Sequence, residues 1–170
     1  MNTPQIKVLA FDPSGNWQEG KGTTGYCVMV GGIPLKLGEI KASDYESPEA
    51  YWDAHLALIG EEFPAFVVVE GYKLYNHRGR EAKIQSNSIL ETPQLIGCIR
   101  WYCYFEEFPL TIQYASDVKT RWNDDLLVRQ GYLEQKGNRY YFNAKLTSKH
   151  KRDALRHALH FATYKLKESK

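Results

Sequence analysis

Nothing in this 170-residue sequence is long and apolar enough to cross a membrane, since a span needs about 20 consecutive apolar residues. No signal-peptide pattern is visible, so a soluble, cytoplasmic protein without a membrane partner is expected. Its three cysteines, Cys27, Cys98 and Cys103, form no CxxC pair. That argues against a disulfide framework and for free thiols in a reducing compartment. No internal repeat or low-complexity tract is present, which excludes solenoid architectures. The net charge of only +2 is too small to establish a nucleic-acid partner, so the distribution of charge must carry that question.

What is present is enough for one well-cored domain spanning 1–170, because 43% of the residues are hydrophobic and 14% aromatic. The basic residues cluster. One group is Lys73, Arg78, Arg80 and Lys83; another is Lys145, Lys149, Lys151, Arg152 and Arg156. The acids collect elsewhere, at 44–49, Glu61-Glu62 and Glu106-Glu107.

Residues 6–12 read as a first strand, followed by a Gly-containing connection, a strand over 25–30, a Gly31-Gly32 turn and a strand over 33–40. Ser47-Pro48 marks a helix start running to about residue 62, with Ser47 as N-cap and Pro48 at the first helical position. A strand follows at 66–70, a polar loop at 72–81 and a helix over about 82–105, reset near Thr92-Pro93. A strand is expected at 110–114. A helix capped by Ser116 or Asp117 then runs to about residue 130, a hairpin turns at Lys136-Gly137-Asn138, and a last helix spans about 149–167. Three hairpin-joined strands followed by alternating helices and strands indicate an α/β mixed sheet. Sites in such sheets form at the C-terminal ends of strands.

Two strands end on acids. Val67-Val68-Val69 delivers Glu70, and the run from Ile6 to Phe11 delivers Asp12. Strands apolar on both faces are buried, and an ionised carboxylate at the end of one is costly to desolvate unless it has a partner. Asp153 lies in the first turns of the last helix. Three acids at the ends of defined elements can converge on a hard cation, which points to metal-dependent phosphoryl transfer. Two of the acids alone also have an ordinary reading, which is weaker for Glu70: Asp12-Pro13 suits a turn, and Asp153 suits a solvated acid near a helix N-terminus.

His150 stands three residues before Asp153, which is same-face spacing. An imidazole ligand makes Mn²⁺ more natural than an all-carboxylate site would. His157 and His160 read as packing or phosphate-facing residues rather than a zinc pair, because no third soft ligand is spaced to match. His55 and His77 carry no distinguishing pattern. Tyr72, Tyr75, Arg78 and Arg80, just after Glu70, interleave aromatics with cations as stacking on bases and gripping of phosphates would require; an ordinary solvated loop would look similar.

Taken together, these residues resemble the RuvC-type Holliday junction resolvases of the ribonuclease H-like superfamily. The resemblance runs through Phe11-Asp12-Pro13 with Thr24-Gly25-Tyr26, Val68-Val69-Glu70, and Ser88, Glu91, Leu95 and Gly97. It continues through Tyr114-Ala115-Ser116-Asp117-Val118-Lys119 and His150-Lys151-Arg152-Asp153-Ala154-Leu155. No one motif is specific; their order and spacing are. The resemblance implies a ribonuclease H-like mixed five-stranded sheet flanked by helices. It further implies a homodimeric endonuclease dependent on Mg²⁺ or Mn²⁺, with two ions per site, acting on four-way junctions or other branched DNA. It assigns the metal to Asp12, Glu70, Asp153 and His150, since the family's final motif carries two metal-binding side chains three residues apart. It gives DNA contact to Lys119, to which Lys149 is added from the basic cluster, and dimerisation to the helix from residue 82 onward. The connection between Asp12 and Gly25 is longer than the family's compact turn, and 131–145 looks inserted, as in a divergent, phage-type member. The rival readings are a branch nuclease of relaxed choice (flaps, forks), an actin-like nucleotide-binding protein using Asp12, Gly15 and Thr23-Thr24-Gly25, and a catalytically dead DNA-binding module.

Overall fold

The computed structural model describes residues 5–73 and 90–166. Its centre is a five-stranded mixed sheet in the order β3-β2-β1-β4-β5. β1 (Lys7–Asp12), β2 (Thr23–Val30) and β3 (Ile33–Lys41) form an antiparallel meander, and β4 (Phe66–Glu70) and β5 (Leu110–Gln113) join in parallel. This is the expected sheet, and the apolar runs explain it. In β1 and β4, Leu9, Phe11, Val67 and Val69 face one core while Val8, Ala10 and Val68 face another. A strand covered on both sides can be apolar throughout, whereas a strand wet on one face must alternate.

The first core is closed by α1 (Pro48–Glu62) and α2 (Glu91–Phe105), through Tyr51, Ile59, Leu95 and Ile99. The second is closed mainly by the last helix, α5 (Lys149–His160), through Ala154, Leu155, Ala158 and Leu159. α1 begins as expected: Pro48 is at the N-terminus, and Ser47 Oγ accepts from the Ala50 amide at 3.1 Å.

Three boundaries differ from the sequence reading. The expected single helix from Ser116 to residue 130 is two short ones, α3 (Ala115–Lys119) and α4 (Asp124–Arg129). Neither Ser116 nor Asp117 caps; Tyr114 holds that position without a side-chain bond. Asn123 restarts the helix by accepting from the Leu126 amide at 2.8 Å. The last helix is α-helical only to His160 and continues as a π-type turn over Phe161–Lys165. The segment that looked inserted is a separate small antiparallel sheet, β6 (Glu134–Lys136), β7 (Arg139–Phe142) and β8 (Lys145–Leu146), of which only the first hairpin was expected. The early part of the helix expected from residue 82 lies outside the described residues.

His55, which carried no signal in the sequence, is wholly buried. Its Nδ1–H donates to the Tyr51 carbonyl (2.8 Å), so Nε2 accepts from the Thr24 hydroxyl at 2.8 Å. Thr24 Oγ1 accepts from the Ser14 amide (3.1 Å), and the Tyr51 hydroxyl donates to the Ser14 carbonyl (2.6 Å). This network ties the connection after Asp12 to α1.

Burial lowers the His55 pKa from its usual 6.5 to about 4. The unfolded chain therefore takes up a proton between those values and the folded chain does not, so stability is complete above about pH 6.5 and falls towards pH 4. The expected loss from this group is about 3 kcal/mol. Urea midpoints measured from pH 7 to 4 should drop more steeply for the wild type than for His55→Gln; parallel curves would show that His55 does not titrate in this way.

Candidate active site

Because β1 and β4 are parallel neighbours with Phe11 opposite Val69, their last residues, Asp12 and Glu70, emerge side by side at the same end of the sheet. α5 crosses that end on β2 and brings the third acid. The crossing is close: a Cβ on Gly25 would lie 2.1 Å from the His150 carbonyl oxygen, so only glycine lets the first turn of the helix reach the sheet. Asp153, 2% exposed, is thereby set beside the strand ends.

Each acid has a cationic or imidazole partner. His150 Nδ1 lies 2.8 Å from Asp12 Oδ2. Lys119, at the end of α3, sits 3.1 Å from Asp153 Oδ2 and 3.7 Å from Glu70 Oε1. Arg156 pairs with Asp153 through Nη1 and with Asp124 through Nη2, and Arg152 Nε donates to Asp124 at 3.0 Å. His157 Nε2 contacts Glu70 Oε2 at 2.8 Å, and its Nδ1 lies 3.0 Å from Gln113 Oε1.

The charges act on one another. Burial raises the Asp12 pKa, and the negative charges of Glu70 and Asp153 add to that against the His150 hydrogen bond. Burial also disfavours ionised Glu70, but the His157 hydrogen bond and charge, with Lys119, outweigh it and hold its carboxyl below the usual range. Burial works against the Lys119 ammonium, yet Asp153 and Glu70 hold its pKa up. The hydrogen bond to Asp12 is the main cause of a raised His150 pKa. Carboxylates forced apart in protonation by a shared site are a feature of functional clefts.

Of the residues singled out in the sequence, Asp12, Glu70, Asp153, His150 and Lys119 come together. Lys119, assigned to phosphate, stands within the carboxylate cluster itself. Lys149 is exposed at the start of α5. Tyr72 is 39% exposed and lines a cleft with Glu70, Lys73, Tyr114 and Ser116; Lys73 Nζ lies 3.9 Å from the Tyr114 ring centre. Tyr75, Arg78 and Arg80 lie outside the described residues. Sequence reasoning missed Arg156, Gln113 and the role of His157. His157 is buried, as a packing residue would be, but it also engages Glu70. Positions 150, 153 and 157 share one helix face, but a packed histidine has the same spacing, so the contact with Glu70 could not be read from it.

Among the described residues, no group of three or more His, Cys, Asp or Glu side chains is drawn together closely enough to hold a metal ion as it stands. The donor chemistry nevertheless fits a hard cation. Three carboxylates and an imidazole converge, and the Lys119 ammonium bridging Glu70 and Asp153 marks where positive charge is favoured.

No protein-family model matches the chain, and no curated protein matches it significantly. Solved structures do. A Thermus thermophilus RuvC structure in complex with a Holliday junction substrate superposes with a TM-score of 0.64 at 19% identity, covering 96% of this chain and 97% of that one. A second Thermus thermophilus RuvC structure gives 0.61 at 17% identity with the same coverage. The chain therefore has the ribonuclease H-like fold of these RuvC structures, across nearly its whole length.

Proposed function

We propose that this protein is a divalent-metal-dependent endonuclease that nicks branched DNA and resolves four-way junctions by phosphodiester hydrolysis. The observation that carries the reading is the convergence of Asp12, Glu70 and Asp153 at one end of a sheet with the RuvC fold. Asp12, Glu70, Asp153 and His150 would hold Mg²⁺ or Mn²⁺, two ions per site. Bound there, the metal supplies an activated water and charge neutralisation at the leaving oxygen. His150 orients Asp12, His157 orients Glu70, and Lys119 is placed to compensate charge between the acids and the scissile phosphate. Tyr72 borders the cleft and is suited to stack on a base that branching exposes. In the same reading Tyr75 stacks beside it, while Arg78, Arg80 and Lys149 grip backbone phosphates.

Cutting two strands symmetrically needs two sites related by a two-fold axis. α2 offers a surface for it: Trp101 and Phe105 stack with centroids 5.4 Å apart, and both are exposed together with Tyr104. Among the described residues no helix is long and apolar enough to span a membrane, in keeping with a DNA-acting protein of the cytoplasm. The nucleotide-binding alternative fares poorly, because the Thr24 hydroxyl is buried and committed to His55 and Ser14.

The test is to incubate the protein with four-way, three-way, flap and plain duplex DNA in Mg²⁺ and in Mn²⁺ and to map the nicks. Paired nicks at the four-way junction, absent from duplex, are expected. Equal nicking of flaps and forks would replace junction resolution by a relaxed branch nuclease; junction binding without nicking in either metal would overturn the enzymatic reading.

A further inference from the structure

The small β6–β8 sheet does not hydrogen-bond to the main sheet, although it lies beside the open edge strand β3. Exposed edges are ordinarily sealed or blunted. Here a groove is left between them, floored by the partly buried Leu37 and Phe142 and rimmed by the exposed Leu35 and Leu146 with Lys36, Lys145 and Lys151. Among the described residues no acidic side chain lines it, and Lys145 is exposed at its rim. Lys36 pairs with Glu62 at 3.4 Å and Lys151 with Glu39 at 3.8 Å, both longer than a good charge-assisted hydrogen bond, so a phosphate can compete for either ammonium. The turn that presents Lys145 is strained: Asn143 and Ala144 both have positive φ, 48° and 63°, and alanine gains nothing in that region from a side-chain hydrogen bond.

We infer that this groove is a second DNA-contact surface, which holds the sugar-phosphate backbone of the arm leading into the active site. The inference rests on the proposed nuclease function. Three cations over an apolar floor suit a phosphate backbone with its sugars, and continuity selects DNA over an acidic peptide. Glu39, which Lys151 reaches, stands opposite Gly25 on β2, and Gly25 stands opposite Asp12, so a strand leaving the acids across β2 meets Lys151 at the groove. The small sheet then acts as a clamp on the arm.

The test is the salt dependence of binding to a long-armed four-way junction, measured in a metal chelator so that no cleavage intervenes. Every phosphate that is no longer neutralised lowers the slope of log K against log salt by about 0.9. The triple variant Lys36→Gln/Lys145→Gln/Lys151→Gln is expected to have a slope shallower by about 2 to 3 and to bind roughly 10- to 100-fold more weakly at about 0.15 M salt. The matching Lys→Arg triple, which keeps the charges, is expected to retain the wild-type slope. A wild type that nicks junctions while the glutamine triple keeps the full slope overturns the groove alone. So does an arginine triple as impaired as the glutamine one, and so does polyglutamate binding that DNA cannot displace. A wild type that neither binds nor nicks branched DNA overturns both this inference and the function on which it rests.

Discussion

Asp12→Asn and Asp153→Asn are each expected to reduce junction nicking at least about 1,000-fold, a loss of about 4 kcal/mol of transition-state stabilisation, and yet to change stability in opposite directions. On the proposed reading both remove a metal ligand, and hydrolysis would have no other source of an activated water. Their surroundings differ. Asp12 is pushed towards its neutral form by burial and by the charges of Glu70 and Asp153, so a neutral amide relieves repulsion and the melting temperature should rise slightly. Asp153 is 2% exposed and pairs with the buried Arg156 and with Lys119. Removing one member of a buried pair leaves the other uncompensated, which costs up to about 3–5 kcal/mol. Asp124 still faces Arg156, so the lower end of that range is expected. Junction affinity should hold or improve in both variants, since affinity comes from phosphate contacts and each variant removes a negative charge near the scissile phosphate. Glu70→Gln should match them in its effect on nicking. Substantial Mg²⁺-dependent nicking by any one of the three would remove that residue from the site. Equal stability losses in Asp12→Asn and Asp153→Asn would show that the charge balance described above is wrong.

Much of this was legible in the sequence because burial on both faces leaves an unambiguous mark. Runs such as Val67-Val68-Val69 locate a central strand, and an acid at the end of such a run stands out against its cost. The residues whose roles the sequence hid are those whose partners are distant in the chain. His157 meets Glu70 across 87 positions and Gln113 across 44, and no local pattern distinguishes such a histidine from one packed in a helix face. Arg156 was only one member of a basic cluster in the sequence, yet it is 8% exposed, because Asp124 and Asp153 together supply the charge that makes its burial tolerable. The split of the helix after β5 was hidden differently. Asn123 is a strong cap, but Val118, Trp122 and Leu126 keep i, i+4, i+8 spacing across the break, so periodicity alone runs the two helices together. The open groove beside β3 is a matter of how two sheets sit, which hydropathy does not encode.

His157 is the position where the geometry departs furthest from the sequence reading, and it carries the second large expectation. Its Nε2–H donates to Glu70, while its Nδ1 faces Gln113 Oε1 and the Gln113 amide nitrogen is buried without a partner. Either orientation of that amide leaves both ring nitrogens of His157 engaged, Nε2 on Glu70 and Nδ1 on Gln113, so the ring is held in place. A carboxylate oriented by a histidine that is itself oriented resembles the outer-shell arrangements that tune metal ligands, whose loss costs about 10- to 100-fold. His157→Leu, which keeps the volume and removes the donor, is therefore expected to lower nicking by about 10- to 100-fold and to raise the Mn²⁺ concentration needed for half-maximal rate. Glu70 should also lose its main stabilising partner. Its pKa, now held down by His157 despite burial, should rise, so protons compete with the cation at higher pH and the acid limb of the pH–rate profile moves upward. A merely structural histidine would shift the melting temperature and leave both the metal requirement and the acid limb in place. Gln113→Leu should produce a smaller version of the same changes, and adding it to His157→Leu should do little more, because both act through one hydrogen bond to Glu70. Fully additive losses would dissolve the Gln113–His157–Glu70 relay into two separate packing effects.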